Sequence, residues 1–313
     1  MEVKSQATVD AVIPTYERPA DRQAQNQMLR DALSSVLAQT YPVSNIFVIA
    51  DGKSQTARSI VGQFHNEHIY FIESGEKNGG GSARNIGIRS SQADYVAFLD
   101  DDDIWGPNKI ERQLSALANY SSEDLVFSFT QVQSEEVGRF DLLPLQGPKT
   151  EWSLAEYIFL HNGYITTSTI MASRALLAKN MFTEKLPKHQ DWDWLFKADF
   201  FCKAKSVFVK MPLTTYRTQY PGRSMSVSQR NTWQFSHNWI LKFKSYLNPA
   251  IIASFDRGHV VDGLLNDHSM SKLVKLIKLF QIMQDFSWAD QREEWRIKIK
   301  PFIKSQLRGS KHA

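Results

Sequence analysis

The chain has 313 residues, 42% of them apolar and 22% charged, the composition of a folded protein able to bury a sizeable core. Its single cysteine, Cys202, excludes an internal disulfide and any cysteine-based metal cluster, and no run approaches the ~18 apolar residues of a membrane span. The formal net charge of +4 is unevenly spread: residues 229–313 hold 14 Lys+Arg against 7 Asp+Glu, which leaves 23 against 26 for the remainder.

The N-terminal MEVKSQATVD lacks the apolar core of a secretory signal, so a cytoplasmic location is expected. Val9–Ile13 reads as a short strand ending at Pro14-Thr15-Tyr16, because proline cannot continue a central ladder. Gln27–Ala38 has helical spacing, Ile46–Ala50 is a second buried strand ending at Asp51-Gly52, Ser59–His65 belongs to a helix, and Ile69–Ile72 is a third strand. Gly79-Gly80-Gly81 makes a turn into a helix over Ser82–Arg89, which carries Arg84. Tyr95–Leu99 is then an apolar run too short for a helix, halted by Asp100, Asp101, Asp102 and Asp103. Beyond it the pattern predicts a helix over Pro107–Asn119 with Asp103 or a neighbour as its cap, and a strand over Leu125–Phe129. A loop over Glu135–Thr150, a helix over Trp152–Leu160 and a strand over Thr166–Met171 follow. Next come a helix from Gln190 with Asp191 and Asp193 in its first turn, and a short strand over Val207–Val209. After these lie Thr215-Tyr216-Arg217 and a basic loop, Pro221–Ser226.

Alternating strands and helices imply a doubly wound, mostly parallel α/β sheet with right-handed crossovers. In such a sheet the carboxyl ends of the strands share one edge, so Pro14–Tyr16, Asp51–Gly52 and Asp100–Asp103 converge there. Four like charges at a buried strand end call for a cation, and hard oxygen donors suit Mg²⁺ or Mn²⁺. A nucleotide diphosphate with a bridging metal fits carboxylates, a glycine turn and an arginine on one edge. A Rossmann dinucleotide site fails on order, since its glycines belong after the first strand, and there is no GxxxxGK[ST] phosphate loop.

The series VIPTY, VIADGKS, KNGGGSARNIGI and YVAFLDDDDIWGPNKIERQ resembles the signature of family 2 glycosyltransferases over about Val9–Gln113. A weaker likeness continues through HQDWDWLFKA and YRTQYPGRSMS to about residue 226. The resemblance implies a GT-A fold over residues 1–226, with a nucleotide-sugar-binding half to about 105 and an acceptor half from 106, and a helical, basic region over 227–313. It implies a metal-dependent, inverting, non-processive transferase moving a hexosyl- or N-acetylhexosaminyl-type sugar from a nucleotide sugar, UDP foremost, to a glycan or lipid-linked acceptor in cell-surface polysaccharide synthesis. Carried onto this sequence, Pro14, Thr15 and Tyr16 line the base and ribose pocket, Asp51 reads the base, and Arg84 holds the donor nucleotide. Asp100 and Asp102 are the outer residues of the Asp-x-Asp motif, with Asp102 the metal ligand and Asp100 the second candidate. Asp101 occupies the variable position on the nucleotide side, as a spacer. Asp191 is the general base, with Asp193 as runner-up, and Gln190 stands where a glutamate is common. Ala50 replaces a second acidic residue beside Asp51. Tyr216, Arg217 and Arg223 fall in the late loop beside the diphosphate, where Gln219 and Tyr220 replace the usual histidine. The QxxRW motif of processive synthases is absent.

Two other readings compete. A sugar-1-phosphate nucleotidyltransferase would carry a glycine-rich signature after the first strand, where this chain has PTYERPADR. A non-catalytic nucleotide- or sugar-binding protein on the same fold would not need both Asp102 and Asp191. The basic C-terminal stretch hints at an anionic surface, membrane or nucleic acid, and of the two no nucleic-acid partner is expected. In the basic C-terminal region, Ser271–Gln284 sets Leu273, Leu276, Ile277, Phe280 and Met283 on one side of a helix, with Lys272, Lys275 and Lys278 on the flank. The common fate of such a stripe is packing on its own domain, and the alternative is peripheral contact with an anionic membrane face.

Overall fold

A computed structural model describes residues 7–18, 22–136, 139–217, 232–284, 286–287, 291–292 and 295–300. The first strand, β1 (Val9–Thr15), is buried along its whole length. It lies between β2 (Asn45–Ala50) and β4 (Tyr95–Phe98), parallel to both, and β3 (Ile69–Glu73) adds parallel to β2. The connecting helices are α1 (Arg22–Leu37), α2 (Gln55–Gly62) and α3 (Gly80–Ser90). Val9, Ala11 and Ile13 pack in one core with Leu29, Ala32, Leu33 and Val36 of α1. Val12 meets Gly87 of α3, where a Cβ would fall 2.5 Å from its Cγ1. The apolar residues of β1 therefore serve two faces, and its one buried carboxylate, Asp10, accepts from Ser91 Oγ and Asn45 Nδ2.

After β4 come β5 (Ile104–Trp105) and α4 (Lys109–Ala116), and then β6 (Val126–Glu136) and β7 (Arg139–Leu143) form an antiparallel pair. The expected loop over Glu135–Thr150 thus contains a strand. The strand expected over Thr166–Met171 is a 3₁₀ turn at Thr167–Thr169 followed by β8 (Met171–Ser173). A short helix, α6 (Arg174–Lys179), precedes α7 (Gln190–Phe200), and the short strand expected at Val207–Val209 is the thirteen-residue β9 (Lys205–Arg217). The sheet order is β3-β2-β1-β4-β8-β6-β9-β5, with β7 on β6. Reversal at β8 ends the parallel half, so the architecture is α/β, mostly parallel and doubly wound.

Helix α7 is seated by aromatic packing. Trp194 stacks on Phe182 and meets Phe127 edge-on, while Phe182 meets Phe98 of β4 edge-on. Trp194 Nε1 donates to the Asn180 carbonyl, and Asn180 Nδ2 donates back to the Trp194 carbonyl. This lock fixes the N-terminus of α7 against the sheet.

The chain divides into two compact units, Met1–Leu154 with Asn162–Met225, and Ala155–His161 with Ser226–Ala313. The second contains most of α5 (Leu154–Leu160) together with α8 (Trp233–Leu241), α9 (Pro249–His259), α10 (Val261–Leu265) and α11 (Lys272–Met283). Trp239, Ile240, Phe255, Val261 and Leu264 form its buried centre, and Phe255 meets Phe159 of α5 edge-on. No described helix is long and apolar enough to cross a membrane.

Candidate active site

Three strand ends meet at one edge of the first unit. β1 ends at Thr15, whose hydroxyl donates to Asp101 at 2.5 Å. Arg18, just beyond, grips the same carboxylate with both terminal nitrogens, at 2.6 and 2.8 Å, and lies 4.0 Å over the Tyr16 ring. Burial disfavours the guanidinium charge, but Asp101 outweighs it and holds the Arg18 pKa above its ordinary value. Asp101 is therefore no spacer: its side chain is 5% exposed and it ties the acidic turn to the loop after β1. Pro14 is a buried member of β1 opposite Ile49, and Tyr16 is exposed at the edge.

At the end of β2, Asp51 accepts from the backbone N–H of Asn78 at 2.7 Å and of Gly79 at 2.9 Å. The carboxylate thus shapes the glycine turn that launches α3. Gly79 has φ +86°, a conformation L side chains rarely adopt. Gly80 and Gly81 are crowded: added Cβ atoms would come 3.1 Å from Arg84 Nη1 and 2.9 Å from the Thr183 carbonyl.

Arg84, on the first turns of α3, is buried. Its Nη2 pairs with Asp100 and its Nη1 donates to Gln190 Oε1 at 2.9 Å, while Nε is buried with no hydrogen-bond partner among the described residues. Gln190 is the first residue of α7, so Arg84 joins the acidic turn to the helix that carries Asp191. With a neutral amide there, Asp100 is the carboxylate that pairs directly with Arg84, and Asp191 feels the same charge without a direct bond.

The 3₁₀ turn before β8 holds both sides of the site, a feature no sequence motif had marked. Thr167 Oγ1 donates to Asp191 Oδ1, and the Thr167 N–H approaches Oδ2 at 3.4 Å. The next residue, Ser168, donates to Asp103 Oδ2 at 2.6 Å and accepts from the Asp100 N–H at 3.0 Å. Asp103 is thus no helix cap: Asn108 precedes α4, and Asp103 is buried beneath the acidic turn. Burial, then Asp102 and Asp100, push its carboxyl well above the usual carboxylate range. Its Oδ1 has no hydrogen-bond partner among the described residues.

Burial raises the Asp191 carboxyl above its ordinary value; Asp100 adds to the rise, while Arg84 and the Thr167 bonds oppose it. Asp193 faces elsewhere, accepting from Thr183 Oγ1 at 2.6 Å with Lys197 Nζ at 3.3 Å. Tyr164 lies in the same field, its hydroxyl pKa raised by burial and by Tyr216, Asp103 and Asp191. Arg217, expected at a diphosphate, is instead a tie: Nε donates to the Asp102 carbonyl at 2.9 Å and Nη1 pairs with Asp31 of α1 at 2.8 Å. Tyr216 precedes it at the end of β9, and Arg223 lies outside the described residues.

Among the described residues no three His, Cys, Asp or Glu side chains form a ready metal cage. A divalent cation that brings its own phosphate oxygens needs only one or two carboxylates. Asp103 Oδ1, which has no hydrogen-bond partner among the described residues, and the neighbouring Asp102 suit that arrangement, while Asp100 is engaged by Arg84.

A mostly parallel sheet with an acidic turn at its switch point, a glycine turn and a facing carboxylate places this site where open α/β sheets bind their ligands. The model of the family described as glycosyl transferase family 2 matches residues 10–184, and the chain belongs to that family. Among curated proteins it is similar to the amylovoran biosynthesis glycosyltransferase AmsB of Erwinia amylovora, 31% identical over 231 residues, 69% of this chain and 74% of AmsB. It is also similar to TuaG of Bacillus subtilis, a putative teichuronic acid biosynthesis glycosyltransferase, 32% identical over 39% of this chain and 45% of TuaG. Among solved structures, S. aureus TarS in complex with UDP-GlcNAc superposes with a TM-score of 0.55 at 15% identity, covering 93% of this chain and 76% of that one.

Proposed function

We propose that this glycosyltransferase moves a single sugar from a nucleotide sugar, with UDP the first donor class to test, onto a hydroxyl of a glycan or lipid-linked glycan, with inversion. The observation that carries the reading is Arg84, which bonds at once to Asp100 of the acidic turn and to Gln190 beside Asp191. Donor-side and acceptor-side carboxylates are thereby held around one cation. AmsB and TuaG are named for polysaccharide synthesis and TarS was solved with UDP-GlcNAc, which supports this donor class and this kind of product.

In this reading Asp191 is the base. It takes the proton of the acceptor hydroxyl as that oxygen bonds to the anomeric carbon, and the bond from that carbon to the diphosphate breaks with its electron pair leaving on the diphosphate. Displacement from one side inverts the centre. Arg84 supplies positive charge on the donor side, and the Arg18–Asp101 pair holds the nucleotide wall in place. Mn²⁺ or Mg²⁺, held by Asp102 with Asp103 adjoining, would neutralise the diphosphate charge when bound.

The test is release of nucleoside diphosphate from a panel of nucleotide sugars, with Mn²⁺ or with chelator, for the wild type and for Asp191→Asn. The expected result is turnover of one donor class, abolished by chelation, with kcat lowered by about 10²–10⁴-fold in the variant and donor affinity retained. Full activity of Asp191→Asn would remove the base assignment, and metal-independent turnover would remove the cation.

A further inference from the structure

Helix α11 is turned the opposite way from the usual amphipathic helix. At ~100° per residue, Leu273, Val274, Ile277 and Phe280 share one sector of its surface. That sector is outward: Leu273 is 67%, Ile277 51% and Phe280 71% exposed. The inward side is Lys275, Leu279 and Ile282, with Lys275 Nζ reaching the Leu265 carbonyl at 2.8 Å. The fold buries a lysine here and leaves the larger apolar stripe in water, so the expected packing of that stripe on its own domain is not what the structure shows. Lys272 and Lys278 flank the sector on either side, and the Lys278 ammonium lies 5.9 Å from the Trp233 ring. Residues 295–300 repeat the theme, with exposed Trp295 and Ile297 interleaved with exposed Arg296 and Lys300.

We propose that this face of α11 docks the enzyme on an anionic lipid bilayer, the stripe entering the headgroup–acyl boundary while the flanking lysines meet lipid phosphates. An apolar sector bordered by long basic side chains matches an interface in which the charge stays at headgroup level. Residues 229–313 hold 14 Lys+Arg against 7 Asp+Glu, the complement of an anionic leaflet. A second copy of the chain is a poorer occupant, because a two-fold contact on this face would set the same lysines against each other. The inference stands on the second unit alone and is independent of the donor, metal and base assignments above.

The experiment is vesicle sedimentation of the full chain with phosphatidylglycerol-rich and with pure phosphatidylcholine vesicles, with mass in solution read by light scattering. The expected result is binding to anionic vesicles only. Leu273→Asp combined with Phe280→Asp, and separately Lys272→Glu combined with Lys278→Glu, should each weaken it about tenfold or more while circular dichroism stays unchanged. Absence of binding to anionic vesicles would overturn the proposal, as would binding that survives Leu273→Asp with Phe280→Asp. So would a dimer that this pair of substitutions dissociates in a chain that does not bind vesicles.

Discussion

Burial and hydrogen bonding act on Asp191 in opposite directions. Burial lifts its carboxyl, and Thr167 and Arg84 pull it back. A base works only when ionised, so activity is lost as pH falls through its raised pKa, and the acid limb of kcat should lie above that of an ordinary aspartate. Thr167→Val removes a bond that favours the ionised form, so the limb should move to higher pH, and Thr167→Ser should restore it. A fall in kcat with an unmoved limb would reduce Thr167 to packing. On the donor side, the Arg18–Asp101 pair is almost wholly enclosed. Arg18→Ala leaves a buried carboxylate without its counter-charge, and denaturant unfolding should show a loss of about 3–5 kcal/mol. Neither Thr167 nor Arg18 stood out in the sequence. One threonine in the hydroxyl run Thr166–Thr169 and one arginine in a polar loop have no spacing that marks them, because their partners lie 24 and 83 positions away.

At the scale of elements, the parallel half was legible because β1, β2 and β4 are buried on both faces and end at polar clusters. β7 and the length of β9 were not. Pro212 and the residues around it break the apolar alternation, and the structure absorbs the break as a register shift between β6 and β9 near Gln131. The inward side of α11 was not legible either: spacing found the stripe, but only tertiary packing decides which side turns inward. The contact of α3 with β1 gives a direct test. Gly87→Ala would place a Cβ 2.5 Å from Val12 Cγ1, so unfolding should show a loss of about 1–3 kcal/mol. Val12→Ala in the same chain should recover part of it, and strict additivity of the two losses would mean that the helix had simply shifted.

For the molecule as a whole, the first unit assembles its site from residues as far apart in sequence as Thr15 and Asp191, each anchored by bonds that precede any ligand. Such a site should bind donor without large rearrangement and gain stability by mass action. At a nucleotide concentration of about 100 times Kd, the folded state should gain about 2.7 kcal/mol, read as a rise in Tm that needs the divalent cation. Asp102→Asn should remove the cation's part of that rise while leaving the Tm of the unliganded enzyme nearly unchanged.

The turn at Thr167–Ser168 has a consequence beyond the bonds it makes. Two successive residues hold the carboxylate that would deprotonate the acceptor and the acidic turn that would face the diphosphate. Their Cα atoms are ~3.8 Å apart across one trans peptide, the stiffest gauge a polypeptide possesses. Insertions on the flanking loops would leave this spacing intact, while one residue gained or lost inside this turn would move Asp191 and the acidic turn out of register. The gauge separates what this scaffold can vary from what it must keep.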